Sequence, residues 1–598
     1  MADRTVAHLV VDRLRAWRVP RVFGCPGDAI APVVEAVAAA GGDPEFVPAR
    51  HEETAAFMAT GHAKFTGGGI GVCLATQGPS AVHLLNGLYD AKLDSRPVVA
   101  IVGEDVSGPL GEVHEEIGLS RLFGDVCHQF VRYGRSPAQV PSLLDQAFRT
   151  AAATRSPTCV VLPRALQVAA VPELAPHAAG VLNATPGEPL ARVLPHQADL
   201  DAAAALLTVG RRVAILVGQG ARGAAEQIAV LADRLGAGVA TSLLGKPVLD
   251  ERLPFHTGVL GEVGTPAAAQ LMGGADTLLL VGTNDPWTDY LPPPGQARTI
   301  QIDIDGRRIG TRYPVDVPLV GDATETLRAL VGQVADRPNR QWRATVEGSV
   351  DRWRTEAAAR AAEPAEPVNP QLVLHELSAR LPRTGAVAVD VGTVLFWYAR
   401  HLALPPGVDA QLCGTLGSPG CALPYALAAK LDRPDAPVVA LLGDGAMQLN
   451  GLAELITVAH RWQDWADPRL VVLVLNDRDD RDPGTGRWVP GVAAAPPRPA
   501  AVTGRRPDVP YAGWARLLGL HGVRVDRPEL VGAAWDEALA ADRPCVLEAV
   551  VDPTVPRRVP EPALADLRSL FADGDATRRI RDRIMSAERS VVEADDLV

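Results

Sequence analysis

Residues Ala436–Asp479 read APVVALLGDGAMQLNGLAELITVAHRWQDWADPRLVVLVLNDRD, and the reading of this stretch decides the fold. Pro437–Leu442 is an apolar run, too short for a membrane span and rich enough in branched residues for a buried strand. Gly443-Asp444-Gly445 breaks it and leaves a small acidic turn at the strand's carboxyl end. Leu449, Leu452, Leu455, Ile456 and Ala459 come next, at the spacing of a helix with one buried face. A second apolar run, Leu470–Leu475, closes on Asn476-Asp477-Arg478-Asp479. A right-handed crossover makes the two strands parallel and brings both acidic ends to one edge, the edge where open α/β sheets bind ligands. Hard oxygen donors there, Asp444 and the pair Asn476-Asp477, suit a magnesium ion that also holds a diphosphate. Taken alone, Gly-Asp-Gly more often simply ends a strand.

Length and composition bound the rest. At 598 residues the chain is too long for one hydrophobic core and suggests three or four domains. Apolar content of 47% with 21% charge is ordinary for a globular protein. A net charge of −12 argues against nucleic acid and anionic membrane surfaces as partners. Met1–Pro20 reads as an amphipathic helix lacking the continuous apolar core of a signal peptide, and no run reaches transmembrane length. The cysteines at 25, 73, 127, 159, 413, 421 and 545 have no metal or redox spacing, for which reduced thiols in a cytoplasm are the simplest account.

Taken in order, residues 1–175 alternate helical stretches with short apolar runs (Ile70–Leu74, Val98–Gly103, Cys159–Leu162), the pattern of a mostly parallel sheet. Val171–Pro195 reads as a linker. A second unit, 190–335, opens on the run Val213–Val217. Charged, alanine-rich helix (Trp342–Ala362) and Glu363–Pro370 precede a third unit, 371–555, and 556–598 is a charged tail. The expected fold is α/β, with three doubly wound domains. Several segments stand out within it. Arg50-His51-Glu52-Glu53 opens a helix after the strand Glu45–Pro48, where acids are also ordinary dipole partners. Ala75-Thr76-Gln77-Gly78-Pro79-Ser80 is a turn leading into a helix. Gly218-Gln219-Gly220-Ala221-Arg222-Gly223 is a formal Gly-x-Gly-x-x-Gly, weak by itself because no acid sits about twenty residues on; a structural turn is the even alternative. Gly282-Thr283, Ile300–Asp305, Asp390-Val391-Gly392-Thr393 and Cys413–Gly420 complete the set.

In this order and spacing the chain, over about residues 1–555, resembles the thiamine-diphosphate enzymes. The likeness is nearest to the pyruvate oxidase and quinone-linked pyruvate dehydrogenase branch, with acetolactate synthase next. The resemblance implies pyrimidine-binding, central dinucleotide-type and diphosphate-binding domains. By it, Glu52 bonds the coenzyme's pyrimidine nitrogen; a carboxyl group in a dry pocket holds its proton more tightly than in water, and can donate it. Asp444, Asp477 and the carbonyl of Asp479 would hold magnesium. Gly443, Gly445, Ala446, Gly392 and Thr393 would meet the diphosphate. Gly417 and Pro419 belong to the segment wedged between the coenzyme's two rings. Gly282, Thr283 and Asp303 would lie on flavin adenine dinucleotide (FAD).

The chain departs from the family pattern at identifiable places. The family's second Asn is Asp477, and its bulky wedge residue is Pro419. Its Phe-Gln-Glu near the substrate falls on His114-Glu115-Glu116. Two like charges about 4 Å apart repel by roughly 4 kcal/mol at an effective dielectric near 20. Either Glu115 turns away or holds a proton, or His114 offsets it, or the substrate is not simple pyruvate. A Pro/Ala/Arg loop after Asp479 replaces an active-site helix and suggests a lid, disorder or lost function. The resemblance implies decarboxylation of a small 2-oxo acid with oxidation through flavin, the site lying between Glu52 of one subunit and Asp444 of another in a homodimer or homotetramer. Acetolactate-synthase-like carboligation and a catalytically weakened cofactor-binding homologue are the alternatives.

Overall fold

The computed structural model describes residues 4–105, 115–171, 192–284, 288–478, 508–558 and 560. His114, Asp479, most of the expected linker, the loop after Asp479 and nearly all of the charged tail lie outside the described residues.

Three sheets carry the fold, each of six strands and each parallel throughout. The first is ordered β2-β1-β3-β4-β6-β5: β1 Arg21–Gly24, β2 Glu45–Pro48, β3 Gly71–Ala75, β4 Val98–Glu104, β5 Val131–Tyr133 and β6 Thr158–Pro163. The second, β12-β11-β10-β7-β8-β9, comprises β7 Val213–Val217, β8 Gly238–Thr241, β9 His256–Val259, β10 Thr277–Val281, β11 Arg298–Asp303 and β12 Val317–Val320. The third, β14-β13-β15-β16-β18-β17, comprises β13 Gly385–Val389, β14 Val408–Leu412, β15 Val438–Gly443, β16 Leu470–Asn476, β17 His521–Val525 and β18 Cys545–Val550. The first and third sheets belong to one compact unit and the second to another.

The central strands, such as β7, β10, β13 and β16, are continuous apolar runs buried along their whole length, as parallel strands covered on both faces are. The unit expected from Ala436–Asp479 is present. β15 and β16 pair in parallel with Gly443 opposite Leu475, so Asp444 and Asp477 emerge at one edge of neighbouring strands. The intervening helix differs from its expected register. Met447–Gly451 forms a π turn before the α-helix Leu452–Arg461. The wider turn shifts the register of the α-helix: Leu449 is 61% exposed, and the buried face is Glu454, Leu455, Thr457 and Val458.

The first and third sheets meet through helices Glu52–Phe65 and Ala422–Asp432. Both are buried on nearly every side, which explains why neither shows a polar stripe. Gly61 permits their approach, since a Cβ there would lie 2.9 Å from Tyr425 Cδ1. Lys64 crosses the junction, fully buried, and donates to Asp90, Asp94, Tyr425 Oη and the Leu412 carbonyl.

Candidate active site

The third sheet reverses strand order between β13 and β15, and ligand crevices form at such reversals. Gly392, at φ +133°, turns the chain from β13 into helix Thr393–His401, and open space lies beside it. Thr393 Oγ1 is the nearest group to the open face of Gly443: a Cβ built there would lie 3.9 Å away. Asp444 is buried, and its Oδ1 accepts the Gly445 N–H at 2.7 Å. Asn476 does not join it. Its side chain is buried and donates to Glu548 Oε1 at 3.0 Å, leaving Asp477 as the acidic donor on the neighbouring strand end. A helix N-terminus, a hydroxyl and two carboxylates on one open edge fit a diphosphate with a hard divalent ion.

The loop Cys413–Gly420 lies beside this edge and is held at both ends. Asp94 accepts from Gly414 N–H at 3.3 Å and Thr415 N–H at 3.1 Å. Asp390 accepts from Gly420 N–H at 2.8 Å and Ala422 N–H at 2.9 Å. Burial pushes the Asp390 carboxyl up to about 6 despite these hydrogen bonds. Asn86 donates to Ser418 Oγ at 2.7 Å and to Glu53 Oε1 at 2.9 Å. Gly417, at φ +74°, is half-buried and Pro419 is exposed at the tip.

Glu52 opens its helix directly after His51, whose Nδ1 accepts the Glu53 N–H at 3.2 Å as the N-cap. Its two carboxylate oxygens are engaged, Oε1 by Ser80 Oγ at 2.8 Å and Oε2 by His83 Nδ1 at 3.0 Å. Burial raises the Glu52 pKa, but the hydrogen bonds from His83 and Ser80 outweigh it, so the carboxyl sits below its ordinary value. That direction is the opposite of the one a dry pocket alone would give. Glu115 is close by. At φ +62° it packs over the Gly78 turn that supplies Ser80, where a Cβ on Gly78 would lie 2.6 Å from its Cβ. His51, Glu52 and His83 present ligand atoms within 4.8 Å of one another, a donor set that suits zinc. However, His51 Nδ1 is taken by its cap bond and His83 Nδ1 by Glu52.

Sequence reasoning missed Ser80, His83 and Glu454. Glu454 is fully buried, and its Oε1 accepts the Arg50 N–H at 2.8 Å and the Thr54 hydroxyl at 2.5 Å. An acid between Leu452 and Leu455 on the buried face was the available signal.

In the middle domain Gly282 and Asp303 lie at the ends of adjacent strands β10 and β11. Gly218 and Gly220 pack on Gly282, and Gly220 N–H donates to its carbonyl at 3.0 Å. The glycine motif therefore serves a close approach of two turns. Thr283 is buried, and Asp303 Oδ1 accepts the Asp305 N–H at 2.9 Å. The turn, hydroxyl and acid at one strand edge fit a dinucleotide.

Sequence comparison accords with this arrangement. Residues 4–118 match the thiamine pyrophosphate enzyme N-terminal TPP binding domain, 200–330 the central domain, and 390–549 the C-terminal TPP binding domain. The chain belongs to the thiamine pyrophosphate enzyme family. It is 32% identical over 562 residues to the Bacillus subtilis protein YdaP, named as containing thiamine pyrophosphate, covering 94% of each chain. It is 30% identical to the pyruvate oxidase of Lactiplantibacillus plantarum over 445 residues, 74% of this chain and 72% of that one. It is 32% identical to the acetolactate synthase isozyme 2 large subunit of Escherichia coli over 555 residues, 91% and 95% of the two chains. This thiamine pyrophosphate enzyme has, among its described residues, no helix long and apolar enough to cross a membrane.

Proposed function

We propose that the protein decarboxylates a small 2-oxo acid with thiamine diphosphate and magnesium and passes the released electrons to FAD, as a pyruvate oxidase does. The observation that carries this reading is the edge where Gly392, Thr393, Asp444 and Asp477 collect on β13, β15 and β16. Bound there, the coenzyme supplies a carbon nucleophile and a sink for the electrons released with carbon dioxide. Asp444 and Asp477, with the Asp479 carbonyl, are assigned the magnesium ion. Gly443, Gly445, Ala446, Gly392 and Thr393 are assigned the diphosphate, and Gly417 and Pro419 the space between the rings. Glu52, steadied by Ser80 and His83, is assigned the pyrimidine edge, and Glu115 with His114 the substrate side. Gly282, Thr283 and Asp303 are assigned FAD. Glu52 and Asp444 serve one site from two copies of the chain, in a homodimer or homotetramer.

The test uses purified protein with thiamine diphosphate, magnesium and a panel of 2-oxo acids. Carbon dioxide release with anaerobic bleaching of a yellow flavin band is the expected result. A carboligated product without bleaching replaces oxidation by acetolactate-synthase-like chemistry, the second reading that the Escherichia coli relative favours. No carbon dioxide from any 2-oxo acid, with coenzyme bound, overturns both.

A further inference from the structure

We infer that His83 is the proton partner of Glu52, holding the carboxylate ionised through one ring nitrogen and exchanging its proton with solvent through the other. This rests on the reading of Glu52 as the residue that meets the coenzyme. Three observations carry it. Glu52 Oε2 and His83 Nδ1 are 3.0 Å apart, while Ser80 donates to the other oxygen, so each carboxylate oxygen already has one donor and keeps a lone pair for a ligand. The two residues differ in exposure: the Glu52 side chain is 16% exposed and that of His83 41%. Within one copy of the chain the histidine therefore spans from a half-buried acid to the open face of the cleft. The His51 ring packs 4.3 Å from the His83 ring, tilted by 31°. With Nδ1 committed to Glu52, the remaining nitrogen, Nε2, is the atom free to take or release a proton.

The exchange balances simply. A proton on the Glu52 carboxyl moves to His83 Nδ1 as another leaves His83 Nε2 for solvent, and the imidazole ends neutral with its tautomer reversed. The other groups around the pair do not substitute for it. Cys25, at the end of β1, is itself pushed up to about 12 by burial and by the charges of Glu52 and Glu454. His51 spends its Nδ1 on the helix cap, and Glu454 accepts its hydrogen bonds from Arg50 and Thr54. Ser80 donates but does not titrate, and Glu115 packs over Gly78.

The test has two arms. In coenzyme-free protein the protonated-carboxyl infrared band of Glu52 is assigned by its loss in Glu52→Gln and followed against pH in wild type, His83→Ala and His83→Gln. Loss of one hydrogen bond to a charged group raises the midpoint in His83→Ala by about one pH unit, and His83→Gln restores most of it through its amide donor. An unchanged midpoint in His83→Ala overturns the pairing. With coenzyme and a 2-oxo acid, both variants turn over more slowly, and added imidazole restores His83→Ala but not His83→Gln. A His83→Gln enzyme with the wild-type rate and pH profile, or a His83→Ala enzyme deaf to imidazole, overturns the exchange role. The infrared shift in His83→Ala, together with wild-type protein that turns over no 2-oxo acid, refutes the proposed function and leaves the pairing standing.

Discussion

Replacing Lys64 by methionine removes one charge from the junction between the first and third sheets and leaves its length almost unchanged. The Lys64 Nζ lies 2.9 Å from Asp90 Oδ1 and 2.8 Å from Asp94 Oδ2, and all three side chains are 1% exposed or less. Without the cation the two carboxylates face each other in the interior. Breaking a buried ion pair by deleting one partner costs about 3–5 kcal/mol, which is the expected loss at neutral pH. The pH dependence comes from the present charge states. Burial raises Asp94, but the Lys64 charge and its hydrogen bond outweigh that and hold it low. Burial wins at Asp90 and lifts it to about 6 against the same cation. Asp94, depressed on folding, stabilises the protein above its unfolded value, and that contribution is lost as pH falls through its folded value. Asp90, raised on folding, costs stability once pH rises through its folded value. Removing Lys64 raises both carboxyls, so the deficit of Lys64→Met is largest near pH 8 and narrows toward pH 5. The assay is urea unfolding of coenzyme-free protein, followed by tryptophan fluorescence at several pH values, with Lys64→Met/Asp90→Asn as the companion. Hydrogen exchange should also quicken at Gly414 and Thr415, whose N–H groups rest on Asp94. A deficit below about 1 kcal/mol at pH 8, or one that widens on acidification, refutes the reasoning.

Three further outcomes are expected. Glu52→Gln keeps the side chain's shape but removes the ionisable oxygen, and 2-oxo acid decarboxylation falls by about 10²–10⁴-fold while coenzyme binding, read by tryptophan quenching, persists. Asp444→Ala removes the buried carboxylate from the end of β15, and calorimetry then finds no gain in thiamine diphosphate affinity on adding magnesium; an undiminished gain disproves its assignment to the metal. Gly61→Val places a Cβ 2.9 Å from Tyr425 Cδ1, an overpacking that costs about 1–3 kcal/mol and lowers the urea midpoint.

How much was legible in the sequence depends on the reach of each interaction. Parallel strands buried on both faces must be short apolar runs, and Val213–Val217 has the same bounds in the structure as in the sequence pattern, as does the half-buried edge strand Glu45–Pro48. The edge built by β15 and β16 was equally visible, because one crossover fixes it within forty residues. The π turn at Met447–Gly451 left no signal in a spacing of leucines that suits an unbroken helix, so Leu449 was placed on the wrong face. Charge and side-chain direction were harder still, because the partners that set them lie far along the chain. Asn476 points at Glu548, 72 residues away, and Glu52 is held by Ser80 and His83, 28 and 31 residues on. No window of local periodicity spans those intervals. What the sequence did offer was a set of ionisable residues set among apolar neighbours in or at the end of helices: Lys64, Asp90, Asp94 and Glu454. Each is buried, and each needs a partner, since an isolated charge in the interior costs several kcal/mol. Such residues therefore mark where two separately readable elements must meet. Lys64 binds the Leu412 carbonyl and Tyr425 of the third domain, and Glu454 binds Arg50 and Thr54 of the first. The joining of the first and third sheets was thus written in the charges that the hydrophobic pattern leaves unexplained.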